Sequence, residues 1–473
     1  VSASECVEQA IAGIEAVNPK LNAVIHKMYE KARAQAKGAL PDGPFRGVPF
    51  VVKGLDGFLA NEPFTQSCRL SKDFVPDHDA EIIARMKRTG LVIVGKTNTP
   101  ELGILGVTEP ELRGPTRNPW NLDHTTGGSS GGTGAMVSSR ALPFGHGGDG
   151  GGSIRIPSSA CGLFGLKPSR GRNPLGPDIG EGWGGYVQQG VITRSVRDCA
   201  AMLDATSGPD AGAPYTAPAK ARAYLDELNS KPRKLKIAFA TSSRYGKDVH
   251  PDCAAAVKDA AELCRSLGHE VFEGEPSIDK RALTAAYFTQ VAVSVALGIE
   301  QTARWVNRVP TSADFEPTTW LLGQIGRKLG AVDLQRGRDA CMVAARVVGK
   351  FFGSCDLFLD ATLAYPPARV GELGLKPAEK VLLGVLRAFS PKAVLDKVLA
   401  DLGANALEKT PNTQLANQIG TPAMSVPLTF GALPIGVQLM APYGDEATLF
   451  QLAAQLEQAR PWAAKKPPVC ATV

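Results

Sequence analysis

Two stretches rich in serine and glycine lie close together in this chain: Gly127-Gly128-Ser129-Ser130-Gly131-Gly132 and Gly147-Gly148-Asp149-Gly150-Gly151-Gly152-Ser153-Ile154-Arg155-Ile156-Pro157. Glycine permits close backbone approach and positive φ, so Gly150, Gly151 and Gly152 can aim successive N–H groups at one point, as an anion-binding nest does. A serine that ends such a run, Ser153, sits beside its own oxyanion hole. There the amides of Gly150, Gly151, Gly152 and Ser153 would meet the oxygen of a tetrahedral intermediate without reorganising. The chemistry this pattern suggests is acyl transfer. A phosphate cradle would need Gly-Lys-Ser/Thr, or a strand, a helix and a later acidic residue, and neither context is present. A plain surface loop has no need of Ser-Ile-Arg-x-Pro directly after its glycines.

A serine hydroxyl is a weak nucleophile at neutral pH and needs a base. Of the six histidines, His124 and His146 lie nearest the glycines, among residues that read as loop and strand edge, and both read as structural or solvated side chains. Lysine is the other option, because a desolvated ammonium can lose its proton near neutral pH. Lys53 closes Gly47-Val48-Pro49-Phe50-Val51-Val52-Lys53, an apolar, strand-like run, whereas nearly all the others among the 52 Lys and Arg residues read as solvated surface charges.

These residues resemble the amidase signature family. Gly127 through Pro157 fits the family's serine- and glycine-rich pattern at nearly every constrained position, and the Gly-Val-Pro-x-x-x-Lys stretch lies upstream, where the family places its lysine. Similarity continues through Gly95-Lys96-Thr97-Asn98, Thr116-Arg117-Asn118-Pro119-Trp120-Asn121, Gly165-Leu166-Lys167-Pro168-Ser169-Arg170-Gly171-Arg172, Gly420-Thr421-Pro422-Ala423 and Leu433-Pro434-Ile435-Gly436-Val437-Gln438. The resemblance implies a Ser-cisSer-Lys triad, with Ser153 as nucleophile, Ser129 as the bridging serine reached through a cis peptide from Gly128, and Lys53 as base. It assigns Ser130 a supporting role beside Ser129. It implies amide hydrolysis through an acyl-Ser153 intermediate, with no metal and no organic cofactor. Asp149 and Arg155 read as supporting residues that pair with each other or with backbone, since buried charges are normally paired. One departure stands out: many relatives carry a hydroxyl or amide residue before the motif's aspartate and a bulkier residue after it, where this chain has Gly148 and Gly150. A side-chain hydrogen bond is then missing, and glycine adds conformational freedom to the hole.

The elements that must position these groups follow from periodicity. A helix capped by Ser2 or Ser4 runs to Val17 and ends at Asn18-Pro19; a helix over 79–88 leads into the β-branched strand Leu91-Val92-Ile93-Val94. Leu235 to Ala240, a helix over 252–267, and Glu270-Val271-Phe272 repeat the alternation, with a strand at Leu357-Phe358-Leu359 and a closing helix over 446–458. Ser207 to Pro218 reads as a surface connector. A chain of 473 residues, 44% hydrophobic and 21% charged, can bury a large core. Length alone suggests about three domains, but the resemblance implies one unit over 1–473: an α/β fold, a single large α/β/α unit around a central mixed, mostly parallel sheet. Within it, 280–400 reads as a mostly helical variable region walling the substrate pocket. Trp183, Tyr186, Tyr287, Phe288, Trp320 and Tyr365 are candidates to line an apolar cleft.

The net charge of +6 comes without basic runs interleaved with aromatics, and Arg233 to Lys236 and Lys465-Lys466 read as solvated faces, so nucleic acid is not an expected partner. Nine cysteines show no C-x-x-C pair or histidine partners, so no metal site is expected; they read as reduced thiols, Cys161 among them, in a cytoplasmic protein. No apolar stretch of about 18 residues and no secretory segment is read, and no membrane partner is expected. The opening Val1-Ser2-Ala3-Ser4-Glu5 resembles the cap of the family's second helix, so an opening helix and any leader are expected to be absent from this sequence. The expected partner is a small-molecule amide, with a homodimer as the default assembly. The region Asn173 to Gly190 and Arg460-Pro461-Trp462 look more like stand-alone hydrolases of aryl or alkyl amides, including nylon-oligomer hydrolases and aryl acylamidases, which sometimes take esters or carbamates. The alternative is the glutamine amidase subunit of a tRNA-dependent amidotransferase.

Overall fold

The structure is a computed structural model that describes residues 1–230, 233–244, 248–374, 407 and 409–471. The last part of the expected variable region, 375–400, lies outside the described residues.

The opening helix is Ala3–Leu21. The Ser2 hydroxyl accepts from the Glu5 N–H at 3.2 Å while the Glu5 carboxylate accepts from the Ser2 N–H at 2.7 Å, a reciprocal capping box. The helix does not stop at Asn18-Pro19 but runs through the proline to Leu21. Two contacts outweigh the hydrogen bond that proline forfeits. Leu21 is fully buried, and the Asn18 side chain accepts from the N–H groups of Ala23 and Val24, both at 2.8 Å, fixing the turn beyond the helix.

In chain order the strands of the described residues are β1 Val24–Lys27, β2 Pro49–Lys53, β3 Val92–Thr97, β4 Arg117–Asn118, β5 Asn121–Thr125, β6 Phe144–Asp149, β7 Phe164–Lys167, β8 Gln188–Thr193, β9 Lys236–Phe239, β10 Glu270–Glu273, β11 Leu357–Ala361, β12 Ala423–Phe430 and β13 Pro434–Met440. Eight form the main sheet in the order β10-β9-β11-β13-β12-β7-β8-β6, and β1, β3 and β2 form a small sheet. The α/β class and the mixed sheet are as expected, but the expected parallel majority is not. Only β10–β9 and β9–β11 pair in parallel; the other five neighbours in the main sheet are antiparallel. Connections explain this. The helix Pro251–Ser266 supplies the long crossover that parallel β9 and β10 require, whereas β12 and β13 are joined by a three-residue turn, Gly431 to Leu433, which forces a hairpin.

Successive strand residues point to opposite faces, and both faces of the main sheet are covered. Ile237, Leu357, Leu359, Met424, Val426, Val437 and Leu439 pack in one core with the helices Val196–Thr206, Pro251–Ser266 and Glu446–Ala459. Ala238, Phe358, Ala423 and Met440 pack in another with Lys280–Trp305, Pro317–Lys328, Ala331–Phe351 and Gln414–Ile419. The described part of the expected variable region is therefore helical over 280–351 apart from its connections, and then forms β11.

Contrary to the sequence reading, one helix among the described residues, Lys280–Trp305, is long and apolar enough to cross a membrane by length and composition, with a mean hydropathy of 1.6 over 18 residues. Half of that window is buried inside the protein. Its stripe Leu283, Tyr287, Val291, Val295 and Ile299 recurs every four residues and faces the second core, the pattern of a core helix. All nine cysteines are free thiols, and burial pushes the thiol of Cys161 far up.

The small sheet covers β6, the outer strand of the main sheet: a side chain at Gly145 would meet Val51 Cγ2 of β2 at 2.8 Å. On the same strand His146 is fully buried, its Nε2 2.7 Å from Gln189 Oε1, and burial drives the imidazole down to about 4. The helix Gly131–Ser138 is equally close to the end of β3. A Cβ at Gly132 would lie 2.6 Å from the Asn98 N and 2.8 Å from the Ala23 O, both backbone.

Gly132→Ala is therefore expected to destabilise the fold by about 1–3 kcal/mol, because neither backbone segment can yield cheaply; denaturant unfolding measures it. His146 predicts a pH dependence. The folded imidazole takes a proton only near pH 4, against an ordinary value of 6.5, so its contribution is complete above about pH 6.5 and is lost as pH falls toward 4. Between pH 7 and 5 the loss is about 2 kcal/mol. Urea melts at both pH values should show it, and His146→Gln should remove most of the difference; an unchanged difference in the variant would assign it to other groups.

Candidate active site

β2 is buried along its whole length and pairs in parallel with β3, which brings Lys53 opposite Thr97. The Lys53 side chain is 1% exposed. Its Nζ donates to Ser129 Oγ at 2.9 Å, to the Gly148 carbonyl at 3.3 Å and to Asp56 Oδ2 at 2.6 Å. An ammonium has three N–H donors, and here each has an acceptor.

Ser129 follows a cis Gly128–Ser129 peptide. A side chain at Gly128 would strike the backbone of Val107 at 2.7 Å, so only glycine fits. Ser130, next in the chain, fastens this segment to the second glycine stretch. Its N–H donates to the Ser153 carbonyl and its hydroxyl to the Gly148 carbonyl, both at 3.3 Å. Ser153 thus lies beside the Ser129 segment, 9% exposed. Its hydroxyl has no hydrogen bond among the described residues. The Lys53–Ser129 link of the expected relay is made in this geometry; the Ser129–Ser153 link is not.

Asp149 organises the glycine run. Its carboxylate accepts from the N–H groups of Gly152 at 2.7 Å and Ile154 at 3.2 Å, and from Arg155 Nε and Nη2, both at 2.9 Å. Burial alone would raise this carboxyl, but the charge and hydrogen bonds of Arg155 override it and hold the group well below the usual carboxylate range. Arg155 is fully buried too, and spends its other donors on the Thr413 carbonyl at 2.8 Å, Gln438 Oε1 at 2.6 Å and Asn417 Oδ1 at 2.7 Å. The expected pairing of Asp149 with Arg155 is present. One donor expected in the oxyanion hole is not available: the Gly152 N–H is turned inward to Asp149, at a φ of +124°. The N–H groups of Gly150, Gly151 and Ser153 have no acceptor among the described residues, so these three, rather than Gly152, remain available as donors.

The same glycines admit the walls of the site. A side chain at Gly150 would meet Trp183 and Val187 at 3.1 Å, one at Gly151 would meet the Tyr287 hydroxyl at 2.1 Å, and one at Gly152 would meet Thr413 Oγ1 at 2.4 Å. The Thr413 hydroxyl also donates to the Gly151 carbonyl at 2.6 Å. Packing therefore restrains a run whose composition alone would leave it loose. Of the expected cleft aromatics, Trp183 and Tyr287 touch the run, while Tyr186 stacks on Tyr287 at 6.1 Å between ring centroids and Phe288 meets Tyr287 edge-on at 5.5 Å. Trp320 stacks on Phe315 and Tyr365 lies against His250; neither is among the nearest neighbours of Gly150, Gly151 or Gly152.

Sequence reasoning missed Asp56, Thr413 and Asn417. Asp56 lies three residues beyond Lys53 in a loop, where nothing in composition separates it from a solvated acid. Thr413 and Asn417 lie more than 250 positions beyond Ser153, and only the packing of Gln414–Ile419 on the loop brings them there.

A family model described as Amidase matches residues 5–450. A 6-aminohexanoate-cyclic-dimer hydrolase of Paenarthrobacter ureafaciens is 38% identical over 482 residues, covering 99% of this chain and 93% of that protein. Among solved structures, a 6-aminohexanoate cyclic dimer hydrolase complexed with substrate superposes with a TM-score of 0.91 at 36% identity, over 99% of this chain and 96% of that one. A bacterial aryl acylamidase of the amidase signature family superposes with a TM-score of 0.85 at 27% identity, over 98% and 94%. With its fold and nearly its whole length matched, the chain belongs to the amidase family, whose members named here hydrolyse amide C–N bonds.

Proposed function

We propose that this chain hydrolyses small amides through an acyl-Ser153 intermediate, with Ser129 passing protons between Ser153 and Lys53. The observation that carries the reading is the 2.9 Å contact of the buried Lys53 Nζ with Ser129 Oγ, beside a Ser153 hydroxyl that has no hydrogen bond among the described residues.

The cycle runs from the form in which Lys53 is a neutral amine able to accept a proton from Ser129. Ser153 Oγ turns toward Ser129, loses its proton to it, and attacks the substrate carbonyl carbon, while Ser129 hands its own proton to Lys53. Charge gathers on the carbonyl oxygen, where the N–H groups of Gly150, Gly151 and Ser153 receive it. The proton returns through Ser129 to the leaving nitrogen, the C–N bond breaks, and an ester on Ser153 remains. Water then attacks that ester with the same relay drawing its proton, and the acid departs as Ser153 regains its hydrogen. Trp183 and Val187 wall the glycine run with apolar surface and Tyr287 brings its hydroxyl against Gly151, which suits an uncharged acyl chain or ring. The similarity to a hydrolase named for 6-aminohexanoate cyclic dimer and to an aryl acylamidase favours a stand-alone hydrolase over an amidotransferase subunit.

Purified chain is expected to turn over a p-nitroanilide of a simple acid, and the cyclic dimer of 6-aminohexanoate, without glutamine or a partner subunit; a strict need for either would point to the amidotransferase reading. Ranking anilides, aliphatic amides, esters and carbamates by kcat/KM would then define the substrate class. Ser153→Ala should abolish turnover and labelling by an active-site phosphonate, and Ser129→Ala and Lys53→Met should each lower kcat by about 10²- to 10⁴-fold. Labelling of Ser153→Ala at the wild-type rate would remove Ser153 as nucleophile. Activity should also rise with pH, because the relay needs an uncharged Lys53; a flat profile from about pH 6 to 9 with chemistry rate-limiting would exclude it as base.

A further inference from the structure

Asp56 holds the shortest contact of the Lys53 amine, 2.6 Å, and holds it from a backbone conformation unusual for a residue with a side chain, φ +71°. Its place is secured from behind: Gln189 Nε2 donates to the Asp56 carbonyl at 2.5 Å, and Gln189 Oε1 is in turn bonded to His146 at 2.7 Å. The space it occupies belongs to Gly148. A Cβ built there would lie 2.2 Å from Asp56 Oδ2 and 2.7 Å from its Cγ, so any side chain at 148 would evict the carboxylate. The departure at Gly148 and the acid at 56 are two halves of one arrangement.

We propose that Asp56 is a positioning residue for the base: it fills the gap left by Gly148, aims the Lys53 amine at Ser129, and stabilises the positive charge Lys53 gains when the relay delivers a proton. The inference rests on the reading of Lys53 as base. In the attack step one proton leaves Ser153 Oγ for Ser129 and one leaves Ser129 for Lys53, while Asp56 stays a carboxylate and exchanges nothing. Its role matches that of the aspartate in a Ser-His-Asp triad, which stabilises the cation formed on the base without itself becoming protonated. The other titratable groups around Lys53 act less directly. His146 on β6 stays neutral above about pH 4. Lys96 on β3 gives its amine to the Pro63 carbonyl at 2.6 Å, and is pushed down to about 8 by burial, with Glu62 opposing. Glu101, in the turn that passes Ser129, accepts from the Glu316 N–H at 2.8 Å, and burial pushes its carboxyl up to about 8.

The test is kcat/KM for a p-nitroanilide as a function of pH in the full-length chain. In Asp56→Asn, nearly isosteric, the rising limb should move about 1–3 pH units lower, and the alkaline plateau should fall about tenfold to a hundredfold, since an amine deprived of its carboxylate is a weaker base. Gly148→Ala should move the limb the same way, and the double variant no further. A limb in Asp56→Asn that superimposes on wild type, with only the plateau lowered, would reduce Asp56 to a structural role and overturn the proposal. Because burial pushes Lys96 down to about 8, inside the range assayed, the displacement should persist in a Lys96→Gln background; its loss there would assign the limb to Lys96 and overturn the proposal as well. Lys53→Met separates the two readings. If it stays active, the base itself is misassigned; if it is inactive while the Asp56→Asn profile is unmoved, only the role of Asp56 fails.

Discussion

The buried ion pair between Asp149 and Arg155 governs the geometry of everything around Ser153. Two charges wholly removed from water are costly to desolvate, and such a pair holds only when nearly every donor and lone pair is engaged. Here that condition is met by groups from distant parts of the chain: the Gly152 and Ile154 amides, the Asn417 amide, Gln438 and the Thr413 carbonyl. Satisfying the pair therefore fixes the glycine run, the start of the helix Arg155–Cys161, the helix Gln414–Ile419 and β13 relative to one another. Turning the Gly152 N–H inward is part of that arrangement, and it leaves the neighbouring amides free to face outward.

The site lies where two sheets meet. β6 is the outer strand of the main sheet, and an outer strand carries a row of unpaired backbone groups. The small sheet covers it without extending it. Lys53 from β2 and Ser130 from the first serine-glycine segment both donate to the Gly148 carbonyl, so a polar group left over by the fold is satisfied where the small sheet meets the main one. Glycines recur at this seam for a steric reason more than a conformational one. At 128, 132, 145 and 148 an added Cβ would strike backbone or a packed side chain within 3 Å.

Two residues show how far the chemistry could be read without coordinates. The placing of Ser153 beside free backbone donors was legible, because the glycines that supply them adjoin it in the chain. Lys53 was legible because an amine closing an apolar strand has no access to water. The pairing of Asp149 with Arg155 could be anticipated from the rule that buried charges find partners. Asp56, in contrast, sits in an irregular loop with no periodicity to mark it, and its significance depends on the absence of a side chain 92 positions later.

The alternation of helix and strand, the α/β class, the glycine run and the identities of the serine and lysine groups were fixed locally, because each depends on residues within one turn or one strand of its neighbours. Sheet order and strand direction were not, since a turn of three residues between β12 and β13 reverses a strand that alternation alone would have made parallel. Nor were the orientation of the Gly152 N–H, the burial of the apolar helix Lys280–Trp305 or the contact of Asp56 with Lys53. These are decided by which distant surfaces meet, and packing and desolvation act only once the chain has brought them together.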